Sequence, residues 1–250
     1  MVTKRIKILN TYIDALTMEE TIEKVENYIK EKKCVQHVVV NAGKINLIQE
    51  DKKLRDIISS CPLINADGQG VVWASRVLGQ PLPERVTGID LFQKLVEISA
   101  QKGYRLFFFG AKEDVVVKVI NIYKEKYPTL KIAGYRNGYF KEEENLEIAE
   151  QIRDTNPDIL FVAFSSPKKE YWINEYMDVM KVPFAMGVGG SFDVIAGKTK
   201  RAPKWMQKCG LEWFYRFVQE PGRMWKRYII GNCRFISLVI KEKKNASSII

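Results

Sequence analysis

The fold is decided by the stretch PFAMGVGGSFD, residues 183–193. It opens with an apolar run, Pro183 to Val188, of about six residues flanked by glycine, a pattern typical of a buried strand. The glycines let backbone N–H groups approach an anion closely. The stretch therefore predicts a strand leading into a phosphate-sized site, although a tight turn followed by a solvated helix fits the same residues.

Upstream of this stretch, short apolar runs alternate with segments of helical periodicity. The predicted strands cover residues 35–40, 63–64, 105–109, 131–135 and 158–164, with one or two more around Asn10. The predicted helices cover residues 18–33, 45–48, 54–58, 71–78, 89–100, 114–127, 142–155 and 168–180. This alternation predicts an α/β fold, Rossmann-like, with a mostly parallel sheet and helices on both faces. In such sheets ligands bind outside the carboxyl ends of the strands.

Charge divides the chain into two parts. The net charge is +10, and residues 201–250 contain eleven Lys or Arg against three Asp or Glu, so most of the excess lies in the last fifth of the chain. At 250 residues and 46% hydrophobic content, one full domain and an appendage are expected. We predict an α/β catalytic domain over residues 1–200 and a basic, aromatic, helical appendage over residues 201–250.

The appendage mixes tryptophan, tyrosine and phenylalanine with its cations. Such a mixture suits an anionic membrane surface, and single-stranded nucleic acid is the alternative. Pro221-Gly222 is predicted to break it into helices over residues 203–219 and 223–240. Its longest apolar run, residues 228–240, is too short to cross a bilayer. We therefore predict a peripheral contact with the membrane and no nucleic-acid partner.

Several chemistries are disfavoured by the residues themselves. The four cysteines are far apart and lack metal-type spacing, which indicates reduced cytoplasmic thiols. His37 is the only histidine and lies in a strand-like run, so a structural role is favoured over a catalytic triad or zinc site. The chain has no Asp-x-Asp pair, so a metal-free mechanism is preferred. A nicotinamide- or flavin-dependent oxidoreductase remains an alternative, although no G-x-G-x-x-G turn follows the first strands. No cofactor is predicted.

Polar residues at predicted strand ends are the candidates for chemistry. Asp67 stands at a strand exit beside Gly68 and could act as a general base, although Asp-Gly is also a common turn. Asn41 could bind a sugar hydroxyl or its own turn backbone. Arg85, in a polar loop, could hold a phosphate bidentately or remain a solvated charge.

Several motifs together resemble one family. They are ADGQGV (residues 66–71), RVTGID (85–90), FGAK (109–112), SPKKE (166–170), GVGGSFDVIAGK (187–198), RAPKWM (201–206), LEWFYR (211–216) and EPGR (220–223). In this order they are similar to the WecG/TagA/CpsF glycosyltransferases, and within that family to the TagA branch of wall teichoic acid synthesis. The similarity covers nearly the whole chain.

The resemblance implies a reaction. N-acetylmannosamine would pass from a UDP donor to the 4-hydroxyl of N-acetylglucosamine on undecaprenyl diphosphate, with inversion and without a metal. By position, Asp67 matches the base, and Asn41 and Arg85 match the pocket. Three arginines match an appendage that closes over the site near the membrane: Arg216, Arg223 and, less closely, Arg227. The remaining predicted substrate contacts are Thr87, Gly110, Lys169, Gly187, Gly189, Gly190 and Asp193.

Two positions depart from the family pattern. Val39 stands where the family usually has threonine, and Lys169 stands where it usually has glutamine. A family member using another donor, such as the UDP-linked uronic acid sugar of the WecG branch, is therefore an alternative. The expected location is the inner face of the cell membrane, and a homo-oligomer is possible.

Overall fold

A computed structural model describes residues 4–247, apart from the side chains of Arg223, Arg227 and Ser247. A six-stranded parallel sheet forms its centre, in the order β4-β3-β8-β7-β5-β6, and an antiparallel hairpin of β1 and β2 lies beside it. The strands are β1 Arg5–Ile8, β2 Thr11–Asp14, β3 Val35–Val40, β4 Leu63–Ala66, β5 Arg105–Gly110, β6 Lys131–Arg136, β7 Ile159–Ala163 and β8 Phe184–Gly187.

Helices connect the strands and form the appendage. Over residues 1–200, the predicted catalytic domain, they are α1 Met18–Lys30, α2 Ala42–Glu50, α3 Lys52–Ser60, α4 Gln69–Val77, α5 Gly88–Lys102, α6 Glu113–Lys126, α7 Asn145–Asp154, α8 Lys168–Met180 and α9 Ser191–Ile195. In the appendage they are α10 Lys204–Lys208, α11 Glu212–Gln219, α12 Pro221–Trp225 and α13 Gly231–Ser247, with a π-helical turn over Lys226–Ile230. The predicted α/β fold with a mostly parallel sheet is confirmed.

Helices cover both faces of the sheet, and the strands β5, β7 and β8 are buried at nearly every position. Phe108 of β5 and Phe161 of β7 point into a cluster with Phe92 of α5 and residues of α1 and α6. Their neighbours Phe107 and Leu160 point the other way, into a cluster with α7 and α8. Since successive side chains of a strand face opposite sides, this is the pattern expected of a buried parallel sheet.

The order of the strands reverses beside β3. The chain passes from β3 outward to β4, crosses to the other half of the sheet for β5, β6 and β7, and returns with β8 to pair with β3. A reversal of this kind opens a crevice at the carboxyl ends of the two strands, where ligands of α/β proteins bind. The stretch over residues 183–193 therefore delivers its glycines to this crevice.

The appendage packs onto the catalytic domain with its last helix. Phe235 and Val239 of α13 are buried in the cluster formed by α2, α3 and α4. The side chain of Asn46 donates a hydrogen bond to the carbonyl oxygen of Gly231 at 2.7 Å, and Arg234 pairs with Glu50 at 2.6 Å. Part of the appendage thus belongs to the hydrophobic core.

The helical boundaries of the appendage differ from the prediction. The first predicted helix, residues 203–219, is interrupted after α10 because Gly210 adopts a positive φ of 73°. The second begins at Pro221 and not at Arg223. A proline at the first position of a helix loses no hydrogen bond, so the predicted break is the start of a helix.

None of the helices within residues 4–247 combines the length and the apolar character needed to span a bilayer.

Replacing Gly110 should destabilise the protein. A β-carbon there would lie 2.8 Å from the carbonyl oxygen of Ala163 on the neighbouring strand, and φ is +113°. We expect Gly110→Ala to lower the free energy of unfolding by about 3 kcal/mol, measured by urea denaturation. Gly222→Ala is the matched control, because no described atom lies within 4 Å of that β-carbon and φ is not positive. Equal stability of the two variants would contradict the packing argument.

Candidate active site

Asn41 and Asp67 stand together because their strands are in parallel register. Val40 pairs with Ala66, so the next residue of each strand reaches the same edge of the sheet. The backbone N–H of Asp67 donates to the carbonyl oxygen of Val40 at 2.9 Å. Asn41 caps α2, with its Oδ1 accepting from the N–H of Lys44 at 3.0 Å, and also lines the cavity described below. Asn41 therefore binds the backbone of its own turn, which is one of the two roles predicted for it.

The Asp67 carboxylate is fixed by the first turn of α5. Its Oδ1 accepts a hydrogen bond of 2.9 Å from the N–H of Gly88. Thr87 caps the same helix, with its hydroxyl oxygen accepting from the N–H of Asp90 at 3.2 Å. The positive end of a helix dipole favours a carboxylate at this place. Oδ2 has no hydrogen-bond partner among the described residues, so it is available to a ligand.

A cavity of about 490 Å³ opens in front of Asp67, within the size range of small-molecule sites. One wall comes from the catalytic domain and the other from the appendage, so the cavity exists only where the two meet. Its lining includes Asn41, Asp67, Trp73, Arg85, Thr87, Leu211, Glu212, Trp213, Arg216, Tyr228 and Phe235. The structure thus brings five predicted site residues together: Asn41, Asp67, Arg85, Thr87 and Arg216.

Arg85 is held by the appendage. Its Nη1 lies 3.2 Å from Oε2 of Glu212, and its Nη2 donates to the carbonyl oxygen of Gln207 at 3.3 Å. The other carboxylate oxygen of Glu212 accepts from Nε of Arg201 at 3.0 Å. The sequence treats Arg85 as a phosphate contact or a solvated charge, whereas the structure also makes it an anchor for the appendage.

A second, polar cavity of about 320 Å³ lies next to the first. It is lined by Gly190, Asp193, Val194, Thr199, Arg216, Gln219, Glu220 and Met224. Arg216 lines both cavities, so this residue lies between the Asp67 side and the Gly190–Asp193 side. The predicted residues Gly190 and Asp193 therefore belong to the second cavity.

A buried charge cluster lies at the ends of β3 and β8. Nζ of Lys44 is 2.6 Å from Oε1 of Glu170, and Nζ of Lys169 is 3.5 Å from the same oxygen. Ser166 donates its hydroxyl to Oε2 of Glu170 at 2.8 Å. Two cations thus share one carboxylate, and the cluster retains one positive charge.

Burial and charge act together on this cluster. Burial alone would raise the pKa of Glu170, but Lys44 and Lys169 outweigh it and hold that pKa below its ordinary value. Burial, with the charge of Lys44, lowers the pKa of Lys169 to about 8 against the opposing effect of Glu170 and Asp67. Of the two ammonium groups in this cluster, that of Lys169 is therefore the less well compensated by the carboxylate of Glu170.

The glycines after β8 make room for Lys169. A β-carbon at Gly187 would lie 2.5 Å from Cδ of Lys169, so only glycine allows the lysine stem to cross the strand end. Gly189 has a φ of +54°, and a β-carbon there would lie 3.6 Å from Nζ of Lys169. The predicted residues Lys169, Gly187 and Gly189 are thus in contact at the crevice between β3 and β8.

Other predicted site residues lie elsewhere. Gly110 ends β5, lines neither cavity and packs against the backbone of Ala163. The side chains of Arg223 and Arg227 lie outside the described residues. His37 is buried, with Nε2 2.9 Å from Oδ1 of Asn65, and burial lowers its pKa to about 4. The histidine is therefore neutral at physiological pH, as a structural role requires.

Several charged residues of the site are absent from the sequence-based prediction. Glu212 and Arg201 meet Arg85 and Asp90 only after folding, across more than a hundred positions of the chain. No local spacing could have revealed these pairs. Glu170 was visible inside the motif SPKKE, but its burial depends on Lys44 from another element.

Two cavities lie beside a parallel sheet, and an arginine lines both of them. Together with the carboxylate of Asp67 they define a candidate active site at the place where α/β proteins bind ligands. Comparison with known proteins shows which class of protein this is. The model of the "Glycosyl transferase WecG/TagA/CpsF family" matches residues 6–248. The chain belongs to this family.

Three curated relatives share the name N-acetylglucosaminyldiphosphoundecaprenol N-acetyl-beta-D-mannosaminyltransferase. The relative from Bacillus subtilis (strain 168) is 40% identical over 196 residues, 78% of this chain and 75% of the relative. The one from Bacillus spizizenii is 37% identical over 195 residues, 78% and 74% of the two chains. The one from Staphylococcus aureus (strain MW2) is 31% identical over 238 residues, 94% and 91% of the two chains.

Replacing Lys169 should stabilise the protein at neutral pH. Because the pKa of Lys169 falls from 10.5 to about 8 on folding, its charged form costs stability below pH 8. Between pH 8 and pH 10.5 the folded protein releases the Lys169 proton while the unfolded chain still holds it, so the cost falls to zero across this range. We expect Lys169→Gln to raise the free energy of unfolding by about 2 kcal/mol at pH 7, with a gain that shrinks above pH 8.

The measurement is urea denaturation of both proteins between pH 7 and pH 10. Lys118→Gln is the matched control, since it removes a lysine at an exposed position of α6. This control should follow the pH dependence of the wild type. A Lys169→Gln gain that is constant with pH would contradict the proposed cause.

Proposed function

We propose that the protein is an inverting glycosyltransferase that works at the inner face of the cell membrane. It moves N-acetylmannosamine from UDP-N-acetylmannosamine to the 4-hydroxyl of N-acetylglucosaminyl-diphospho-undecaprenol. The observation that carries the proposal is the Asp67 carboxylate, fixed through Oδ1 and open through Oδ2, in a cavity that two arginines also line. The activity named for the curated relatives supports the choice of sugar and lipid.

The chemistry is a single displacement. Oδ2 of Asp67 takes the proton of the acceptor hydroxyl as its oxygen forms a bond to the anomeric carbon of the donor sugar. The bond from that carbon to the diphosphate breaks, and UDP leaves with the electron pair. Attack from the side opposite the leaving group inverts the anomeric centre and gives a β linkage.

The leaving diphosphate needs positive charge, and the protein supplies it from two sides. Arg216 stands between the two cavities, so its guanidinium can contact a donor bound near Gly190 and Asp193 and an acceptor bound near Asp67. Lys169 supplies the excess charge of its buried cluster beside the glycine turn. Cations fixed before the reaction stabilise charge that develops in the transition state. No metal ion is required in this proposal.

The appendage provides the contact with the lipid. Large apolar side chains are exposed along it, while Phe235 and Val239 anchor it in the core. The exposed ones are Trp205, Trp213, Phe214, Val218, Trp225, Ile229, Ile230, Ile236 and Ile240. Eleven Lys or Arg residues lie in the same part of the chain. Apolar side chains with flanking cations suit the surface of an anionic bilayer.

Asp67→Asn should abolish transfer without abolishing donor binding. Asparagine keeps the hydrogen bond from Gly88 but cannot take a proton, so we expect turnover to fall by about a hundredfold to ten-thousandfold. Transfer of labelled N-acetylmannosamine to a short-chain lipid acceptor measures the rate, and titration calorimetry with UDP measures binding. Asp56→Asn, an exposed aspartate of α3, should keep the wild-type rate. Full activity of Asp67→Asn would remove Asp67 from its role.

The same assay tests the substrate. UDP-N-acetylmannosamine should be used in preference to other UDP-sugars, including the N-acetylmannosaminuronic acid donor, and turnover should persist with EDTA. A wild-type protein that transfers none of these sugars would refute the proposed function.

Charges on the exposed face of the appendage should weaken membrane binding. We expect the pair Ile229→Glu and Ile240→Glu to reduce binding to phosphatidylglycerol vesicles about tenfold or more, because two apolar contacts become repulsive. Vesicle sedimentation measures the bound fraction. Leu146→Glu is the matched control, since Leu146 is equally exposed on α7 in the catalytic domain. Binding of the double variant at the level of this control would contradict the proposed surface.

A further inference from the structure

A chain of four charged residues links the appendage to the catalytic domain. Arg201 makes two hydrogen bonds to Asp90, of 2.5 and 2.9 Å, and a third to Glu212 of 3.0 Å. Glu212 continues to Arg85 at 3.2 Å. The chain alternates two cations with two carboxylates, so its net charge is zero.

One end of this chain lines the cavity in front of Asp67, and the other end lies in the helical turn that holds Asp67. At one end, Asp90 belongs to the first turn of α5, the turn whose Gly88 N–H holds Asp67. At the other end, Arg85 itself lines the cavity. The residues between them are largely shielded, with 16% of the side-chain surface exposed in both Arg201 and Glu212. Water therefore screens these ion pairs less than it screens surface pairs.

Arg85 donates to Glu212 and to the carbonyl oxygen of Gln207, and both of these partners come from the appendage. An arginine side chain has five N–H donors in a planar fork. Two of them are used here, and the plane of the fork is set by these two bonds. The remaining donors are thereby held in one orientation, and Arg85 lines the cavity.

We infer that Glu212 is a positioning residue, which orients the Arg85 guanidinium toward the phosphate of a substrate bound beside Asp67. Arg201 fixes Glu212 in turn through its pair with Asp90. The inference rests on the proposed function for the identity of the substrate. It gives the appendage a second task besides contact with lipid, since only the docked appendage supplies the carboxylate that Arg85 needs.

A double-mutant cycle separates positioning from a general structural role. The proteins are the wild type, Glu212→Gln, Arg85→Lys and the double variant, assayed for kcat and KM with the short-chain lipid acceptor. We expect Glu212→Gln alone to lower kcat/KM by about tenfold to a hundredfold, as for the loss of one charged hydrogen bond. In the Arg85→Lys background the same change should cost less than about threefold, because the group it orients is gone. An equal loss in both backgrounds, or no loss in either, would overturn the inference.

Binding of farnesyl diphosphate provides a readout that does not depend on turnover. Its dissociation constant should follow the same non-additive pattern across the four proteins. If the wild type transfers no sugar but this pattern holds, the proposed function fails and the positioning role stands. If transfer is observed and the losses are additive, only the positioning role fails.

Two controls complete the experiment. Glu125→Gln, at an exposed position of α6, removes a carboxylate far from the site and should match the wild type. Amide hydrogen exchange over residues 204–219 should remain protected in Glu212→Gln, because the pair between Arg201 and Asp90 still docks the appendage. Loss of protection there would overturn the inference, since Glu212 would then hold the helix and not the guanidinium.

Discussion

The hydrogen bond from the Gly88 N–H to Oδ1 of Asp67, 2.9 Å long, joins the end of β4 to the start of α5. This bond uses Oδ1 and leaves Oδ2 available on the residue that lines the cavity. A carboxylate held at the positive end of a helix is kept in one orientation, which a general base requires. Gly88 also packs closely on Val39 of β3, where a β-carbon would lie 3.4 Å from a valine methyl. The placement of the acid therefore depends on three elements meeting at one point.

The charges of the appendage serve two different purposes. Arg201 and Glu212 face inward and are paired, and each contributes to a network with no net charge. The excess of +8 comes from the other residues of this segment, whereas residues 1–200 are close to neutral. Inward pairs fix geometry, while the net positive charge of the segment attracts an anionic surface over a longer range. A basic tail is therefore compatible with a locally neutral wall at the cavity.

The sequence predicted the fold better than the site. The apolar runs and helical periodicities over residues 18–180 were enough to predict the parallel sheet, and the strand ends located Asn41 and Asp67. The second cavity and the Arg85–Glu212 pair could not be predicted, because they depend on how the appendage docks. The appendage boundaries were wrong at Gly210 and Pro221 because a positive φ and a helix-starting proline are decided locally.

The replacement at position 169 changes how the crevice between β3 and β8 can be used. Glutamine would offer a neutral amide there, whereas Lys169 brings a second ammonium to the single carboxylate of Glu170. Removing a charge from water is costly unless a partner compensates it, and here compensation is incomplete. A diphosphate entering the crevice would supply the missing negative charge. On the proposed reaction, binding of the donor would recover the stability that this buried cation costs the free protein. Lys169 would then favour a ligand that carries a diphosphate.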